Sequence, residues 1–194
     1  MPEKRDPNDI EARIKRLLSL ERQELLDPFE VMAFLPIEAH HHVADIGCGP
    51  GYFTIPLAKH LVFGKVYALD VLDRMLEETR KRVAASNLGN VEVLKCQETS
   101  FPVPARSLDG ALIAFVLHET QKREELLRAA GELLKPGGWL AVLEWQDKDE
   151  EGAPSPDRRV KPQELEALAR KAGFQVRLRR ELNPKHYMAL LRKL

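Results

Sequence analysis

Val43-Ala44-Asp45-Ile46-Gly47-Cys48-Gly49-Pro50-Gly51-Tyr52-Phe53-Thr54 is the stretch that decides the fold of this chain. Val43 to Ile46 make a short apolar strand, and glycines follow at 47, 49 and 51. Without side chains at those positions, a ligand can press against the backbone. A helix starting near Tyr52 aims its free N–H groups at the same spot. Alone, such a loop equally suits a tight strand-to-helix turn that binds nothing.

Outward from this turn, strands and helices alternate. After the helix to about Leu61, Lys65 to Leu69 form a second strand that ends at Asp70. A helix over about 72–86 and a third strand, Val91 to Leu94, come next. Leu108 to Phe115 is almost wholly apolar, as a parallel strand buried on both faces should be. A helix from about Lys122 to Leu134 is expected to stop at Lys135-Pro136-Gly137-Gly138, before a fifth strand from Trp139 to Glu144. The charged, proline-bearing stretch 146–161 reads as a mobile surface loop. A helix from Gln163 to Ala172 leads to two strands around Asn183-Pro184 that suit an antiparallel pair. The expected fold is α/β: a doubly wound, mostly parallel seven-stranded sheet with an antiparallel C-terminal hairpin.

On the other side of the turn, Ile10, Ile14, Leu17, Leu18 and Leu25 recur at helical spacing, so one amphipathic helix is expected over 8–26. Asp27-Pro28 restarts the chain as a cap and first helical residue. Residues 1–27 thus form a helical extension, a lid or a dimer-forming helix, ahead of the main domain at 28–194.

Composition narrows the partners. Thirty basic and thirty acidic residues leave no net charge across 194 residues, so no field gathers nucleic acid or anionic lipid. Arg177-Leu178-Arg179-Arg180 reads as the exposed face of a strand. No apolar run approaches the ~20 residues that span a bilayer, and no secretory signal is evident, so a cytoplasmic protein is expected. Cys48 and Cys96 are too few for a disulfide framework. His40-His41-His42 finds no Cys or acidic cluster to complete a metal site, so no metal is expected.

Asp70 gives the glycine turn a chemical meaning. It ends the next strand about twenty residues on, where a carboxylate can accept hydrogen bonds from ribose hydroxyls. Gly51 arrives one residue too early for a dinucleotide fingerprint. Asp45 would repel a pyrophosphate, but could help hold an ammonium, directly or through water. Both points favour S-adenosylmethionine over NAD.

Residues 43–54 resemble motif I of the class I S-adenosylmethionine-dependent methyltransferases. Val66-Tyr67-Ala68-Leu69-Asp70 resembles the family's acid-ending second motif, and Leu133 to Leu140 the entry to its fifth strand. The likeness is nearest to the small ubiquinone/menaquinone-biosynthesis type, and implies a Rossmann-like sheet and a small-molecule methyl acceptor. It places Asp45, Gly47, Gly49, Gly51 and Tyr52 around the methionine part of the cofactor, Asp70 on the ribose, and Val71 and Leu72 beside the adenine. The family often has an acid after the third strand for the adenine amine; here Cys96 stands there, and Gln97 or Glu98 would substitute. Phe115, His118 and Glu119 fall at the end of strand four, by the transferable methyl. His118 and Glu119 are therefore the candidates for substrate contact or general base. Glu144, Trp145 and Tyr187 are nearby, with strand-end packing as their expected role. Two alternatives stay open: a non-catalytic protein that binds S-adenosylmethionine or S-adenosylhomocysteine, and a nucleotide-dependent oxidoreductase.

Overall fold

The computed structural model describes residues 7–148 and 152–194. Seven strands form one sheet: β1 (His42–Ile46), β2 (Lys65–Asp70), β3 (Val91–Lys95), β4 (Leu108–Ala114), β5 (Leu134–Trp145), β6 (Phe174–Glu181) and β7 (His186–Lys193). Their order is β3-β2-β1-β4-β5-β7-β6. The first five pair in parallel; β7 runs antiparallel to both β5 and β6. This is the expected α/β sheet with its terminal hairpin. Strand order reverses between β1 and β4, which opens the crevice that ligands use in such sheets.

Helices cover both faces. They are α1 (Pro7–Leu17), α2 (Leu20–Leu25), α3 (Pro28–Met32), α4 (Thr54–His60), α5 (Asp73–Ala85), α6 (Arg123–Leu133) and α7 (Pro162–Lys171). Alternate strand residues serve opposite layers. Ile46, Ile113 and Val142 pack with Leu126 of α6 and Leu165 of α7. Val43, Leu112 and Leu143 pack with Val31 of α3 and Leu57 of α4. Leu112 and Leu57 are essentially sealed from water, and burying each contributes about 1.5–3 kcal/mol.

Several local expectations change. The long N-terminal helix breaks at Leu18–Ser19, because the Ser19 hydroxyl accepts from Arg22 N at 3.3 Å and caps a new helix, α2. Lys135-Pro136-Gly137-Gly138 does not stop the chain in a loop. Pairing jumps from Leu108↔Leu134 to Gly110↔Trp139, so these residues form an irregularity within β5. The stretch 152–161 has no helix or strand, yet it is not wholly on the surface: Val160 is sealed in the core and accepts from the Tyr187 hydroxyl at 2.6 Å. The part of the expected mobile loop at 149–151 lies outside the described residues. The arginine tract does lie exposed on β6, an edge strand whose charges discourage further pairing.

Candidate active site

The glycine loop is braced from behind. Gly47 N and Cys48 N donate to Leu69 O at 2.8 and 3.0 Å, and the Thr79 hydroxyl of α5 donates to Gly49 O at 2.8 Å. Gly47 (φ 73°) has a second constraint: an added Cβ would lie 2.4 Å from a Val116 methyl carbon. This bare backbone lies at the crevice between β1 and β4.

Asp70 is bound into the loop. Its Oδ2 accepts from Gly49 N at 2.8 Å and its Oδ1 from Leu72 N at 2.9 Å. Burial raises its pKa, and the two backbone donors oppose the rise. Each oxygen keeps a further lone pair, which suits two ribose hydroxyls. Asp45 is more deeply buried and accepts from the Thr54 hydroxyl at 2.6 Å. Desolvation pushes its carboxyl up to about 7.

The other named positions are spread along the same edge. Tyr52 is buried, with its hydroxyl donating to Leu26 O at 2.7 Å. Val71 is exposed, and Leu72 lines a cavity of about 350 Å³ together with Ile10, Arg13, Arg16, Glu119 and Arg158. Gln97 and Glu98 are exposed; Glu98 accepts from the Thr120 hydroxyl, tying the loop after β3 to the segment after β4. Phe115 has φ 61°, an uncommon conformation for a large side chain at a strand end.

His118 and Glu119 fall in one 3-10 turn, Leu117–Glu119, but they are not each other's main partners. Glu144, fully buried at the end of β5, accepts from His118 Nδ1 at 2.9 Å and from His118 N at 3.1 Å. His118 Nε2 is 4.0 Å from Glu119, whose carboxylate pairs with Arg13 of α1 at 2.5 Å. Glu11 of α1 also binds Arg74 of α5, at 2.5 and 3.0 Å. Two ion pairs thus fix α1 beside the cavity, and Leu17 comes within 3.8 Å of where a Gly49 Cβ would stand. Arg158 Nε donates to His118 O at 3.2 Å, so the segment after β5 also packs on this turn.

The residues fit S-adenosylmethionine: a bare loop at a strand-order reversal, a ribose-type acid with spare lone pairs, a buried carboxylate and a cavity of small-ligand size. A family model described as a methyltransferase domain matches residues 43–138. The crystal structure of a SAM dependent methyltransferase from Aquifex aeolicus superposes with a TM-score of 0.89 at 30% identity, over 98% of this chain and 100% of that one. This chain belongs to the S-adenosylmethionine-dependent methyltransferase family. The names of its curated relatives are of the ubiquinone/menaquinone type. The demethylmenaquinone methyltransferase of Listeria monocytogenes is 31% identical over 59% of this chain and 49% of its own length. The ubiquinone/menaquinone biosynthesis C-methyltransferase of Pseudoalteromonas translucida is 30% identical over 63% and 49%. The chain spans about half the length of these relatives. Membership of the family leaves the oxidoreductase alternative without support.

Sequence reasoning gave Glu144 only a packing role; a charged residue ending an apolar strand was the available signal. Glu38 was also overlooked: it places a carboxylate oxygen within 4.8 Å of ring nitrogens of His40 and His41, on a largely exposed turn. No helix among the described residues is long and apolar enough to cross a membrane.

Proposed function

We propose that this chain transfers the methyl group of S-adenosylmethionine to a small, ring-bearing acceptor, with His118 as general base. One observation carries the proposal: Glu144 holds His118 Nδ1 and leaves Nε2 directed toward Glu119, which lines the cavity. A carboxylate on Nδ1–H fixes the tautomer in which Nε2 accepts a proton. The bound cofactor supplies an electrophilic methyl on a sulfonium. Asp70 and the glycine loop hold and orient it, and α1 covers it as a lid. His118 Nε2 takes the proton released as an acceptor oxygen or carbon acid becomes a nucleophile. The quinone-biosynthesis names of the relatives support a quinol-like ring as that acceptor. A cytoplasmic location, the absence of a nucleic-acid partner and a homodimer belong to the same reading; a single-copy mass by light scattering removes the dimer.

His118→Ala is expected to lower turnover about a hundred- to ten-thousandfold while S-adenosylhomocysteine affinity stays within about 0.5 kcal/mol. Turnover is followed by mass spectrometry with a soluble demethylated naphthoquinol. Cofactor binding with no product from any ring acceptor would favour the non-catalytic binder. Loss of cofactor affinity in His118→Ala would make His118 a structural residue.

Asp45 yields a pH dependence. Its carboxyl sits near pH 7 in the free protein. An ammonium brought beside it favours the charged form, so binding below that pH releases a proton. Affinity for S-adenosylhomocysteine should rise with pH, approaching tenfold per unit below about 7, and then level off. Stability has the opposite sign. The folded chain holds this proton more tightly than the unfolded one, so the group lowers stability as pH rises from about 4 to 7. Calorimetry in two buffers of different ionisation enthalpy reads the proton; no release at pH 6 would separate Asp45 from the ammonium.

A further inference from the structure

We propose that Arg22, together with Phe115, Trp145 and His186, forms a receptor for the acidic group of a planar acceptor. Here the site gains a substrate class, and the inference rests on the methyl-transfer reading above. Arg22 lies on α2 with its guanidinium carbon 4.8 Å from the Tyr52 ring centre and 5.2 Å from that of Phe115. Its Nε is sealed from water with no hydrogen-bond partner, and no carboxylate pairs with it among the described residues. Arg22 is only partly buried, but one N–H of its guanidinium is out of water with nothing to donate to, and a ligand anion would satisfy it. Burial and neighbouring cations have already lowered its pKa, to about 10, so the charge is present at neutral pH.

The rings beside it suit an aromatic body. Trp145 and His186 stand 4.5 Å apart edge to face, and Phe115 lies 4.8 Å from His186 and 6.0 Å from Trp145. Phe115 and Trp145 are only half-buried, so the cluster is open to a ligand. His186 is neutral at physiological pH, because burial depresses its pKa to about 3, and so it brings no second cation. Phe115 directly follows β4, Trp145 ends β5 and His186 begins β7; Glu144 is also on β5, and His118 lies in the 3-10 turn just after β4. Phe115 keeps its positive φ in this place, which fits a residue held for recognition. A fork of N–H donors over the Tyr52 and Phe115 rings suits a planar carboxylate or phenolate, and Lys would not reproduce that geometry.

The test uses 2-naphthoate and its neutral counterpart 2-naphthamide as probes, with binding to the S-adenosylhomocysteine-loaded protein read by tryptophan quenching. The acid should bind at least ten times tighter than the amide. Arg22→Met should abolish that preference, while Arg22→Lys retains only part of it and both variants keep the wild-type S-adenosylhomocysteine affinity. Equal binding of acid and amide to the wild type overturns the proposal without any variant, as does failure of both probes to bind. A tenfold loss of S-adenosylhomocysteine affinity in Arg22→Met also overturns it, by assigning the guanidinium to the cofactor's own carboxylate. Failure of S-adenosylhomocysteine to bind the wild type is a different result, because it removes the methyl-transfer reading itself.

Discussion

Asp70→Ala should weaken S-adenosylhomocysteine binding by about 1.5–3 kcal/mol, the worth of hydrogen bonds to a charged acceptor. That is roughly a ten- to 150-fold rise in Kd. The geometry adds a second loss. Gly49 N and Leu72 N both donate to this carboxylate, so alanine leaves two backbone donors of the loop without their acceptor. The variant should therefore also melt earlier when free, and gain less on adding ligand than the wild type does. Asp70→Asn separates the two losses. One oxygen can still accept from the loop, while the amide end presents donors to a ribose hydroxyl and disturbs the pairing. Titration calorimetry and thermal melts with and without ligand read both effects. Unchanged affinity in Asp70→Ala would take this residue out of the ribose role.

Gly110→Ala is the substitution expected to cost the fold most. Gly110 pairs with Trp139 across β4 and β5, and an added Cβ would lie 2.0 Å from the indole ring. Both strands are buried here, so neither can move without disturbing the sheet. Overpacking of this kind costs about 3 kcal/mol or more. For a chain of this size that lowers Tm by roughly 6–12 °C. Trp139→Leu in the same chain should recover part of the loss, since it opens the space that the methyl needs. The two changes should then be markedly non-additive in denaturant unfolding. A single variant as stable as the wild type would mean that β4 and β5 part more readily than their register suggests.

Much of this was legible because it is local. The glycine turn, the strand ending in Asp70 and the continuous apolar β4 each declare themselves within a dozen residues, and their order fixes the sheet. The Asp27-Pro28 restart was equally clear, and Asp27 Oδ1 accepts from Phe29 N at 2.8 Å as a cap should. Part of what escaped depends on distant pairing. Lys135-Pro136-Gly137-Gly138 has the composition of a turn, yet Leu134 already pairs with Leu108 in the sheet. Glu119 adjoins His118 in sequence, but Glu144 reaches the imidazole because β4 and β5 end side by side. Ser19 could be exposed on one long helix or cap a second one, and only packing decides between them. Glu38 joined the histidines by a tight backbone turn in which its N–H meets His41 Nδ1 at 3.2 Å.

The position of the terminal hairpin bears on how the protein is made. A ribosome that has finished β5 has already delivered the glycine loop, Asp70, His118 and Glu144. His186 is still to come, as is Asn183, whose side chain ties down Leu25 O of α2 at 2.8 Å. The ring cluster beside Arg22 is therefore completed only when β7 docks between β5 and β6.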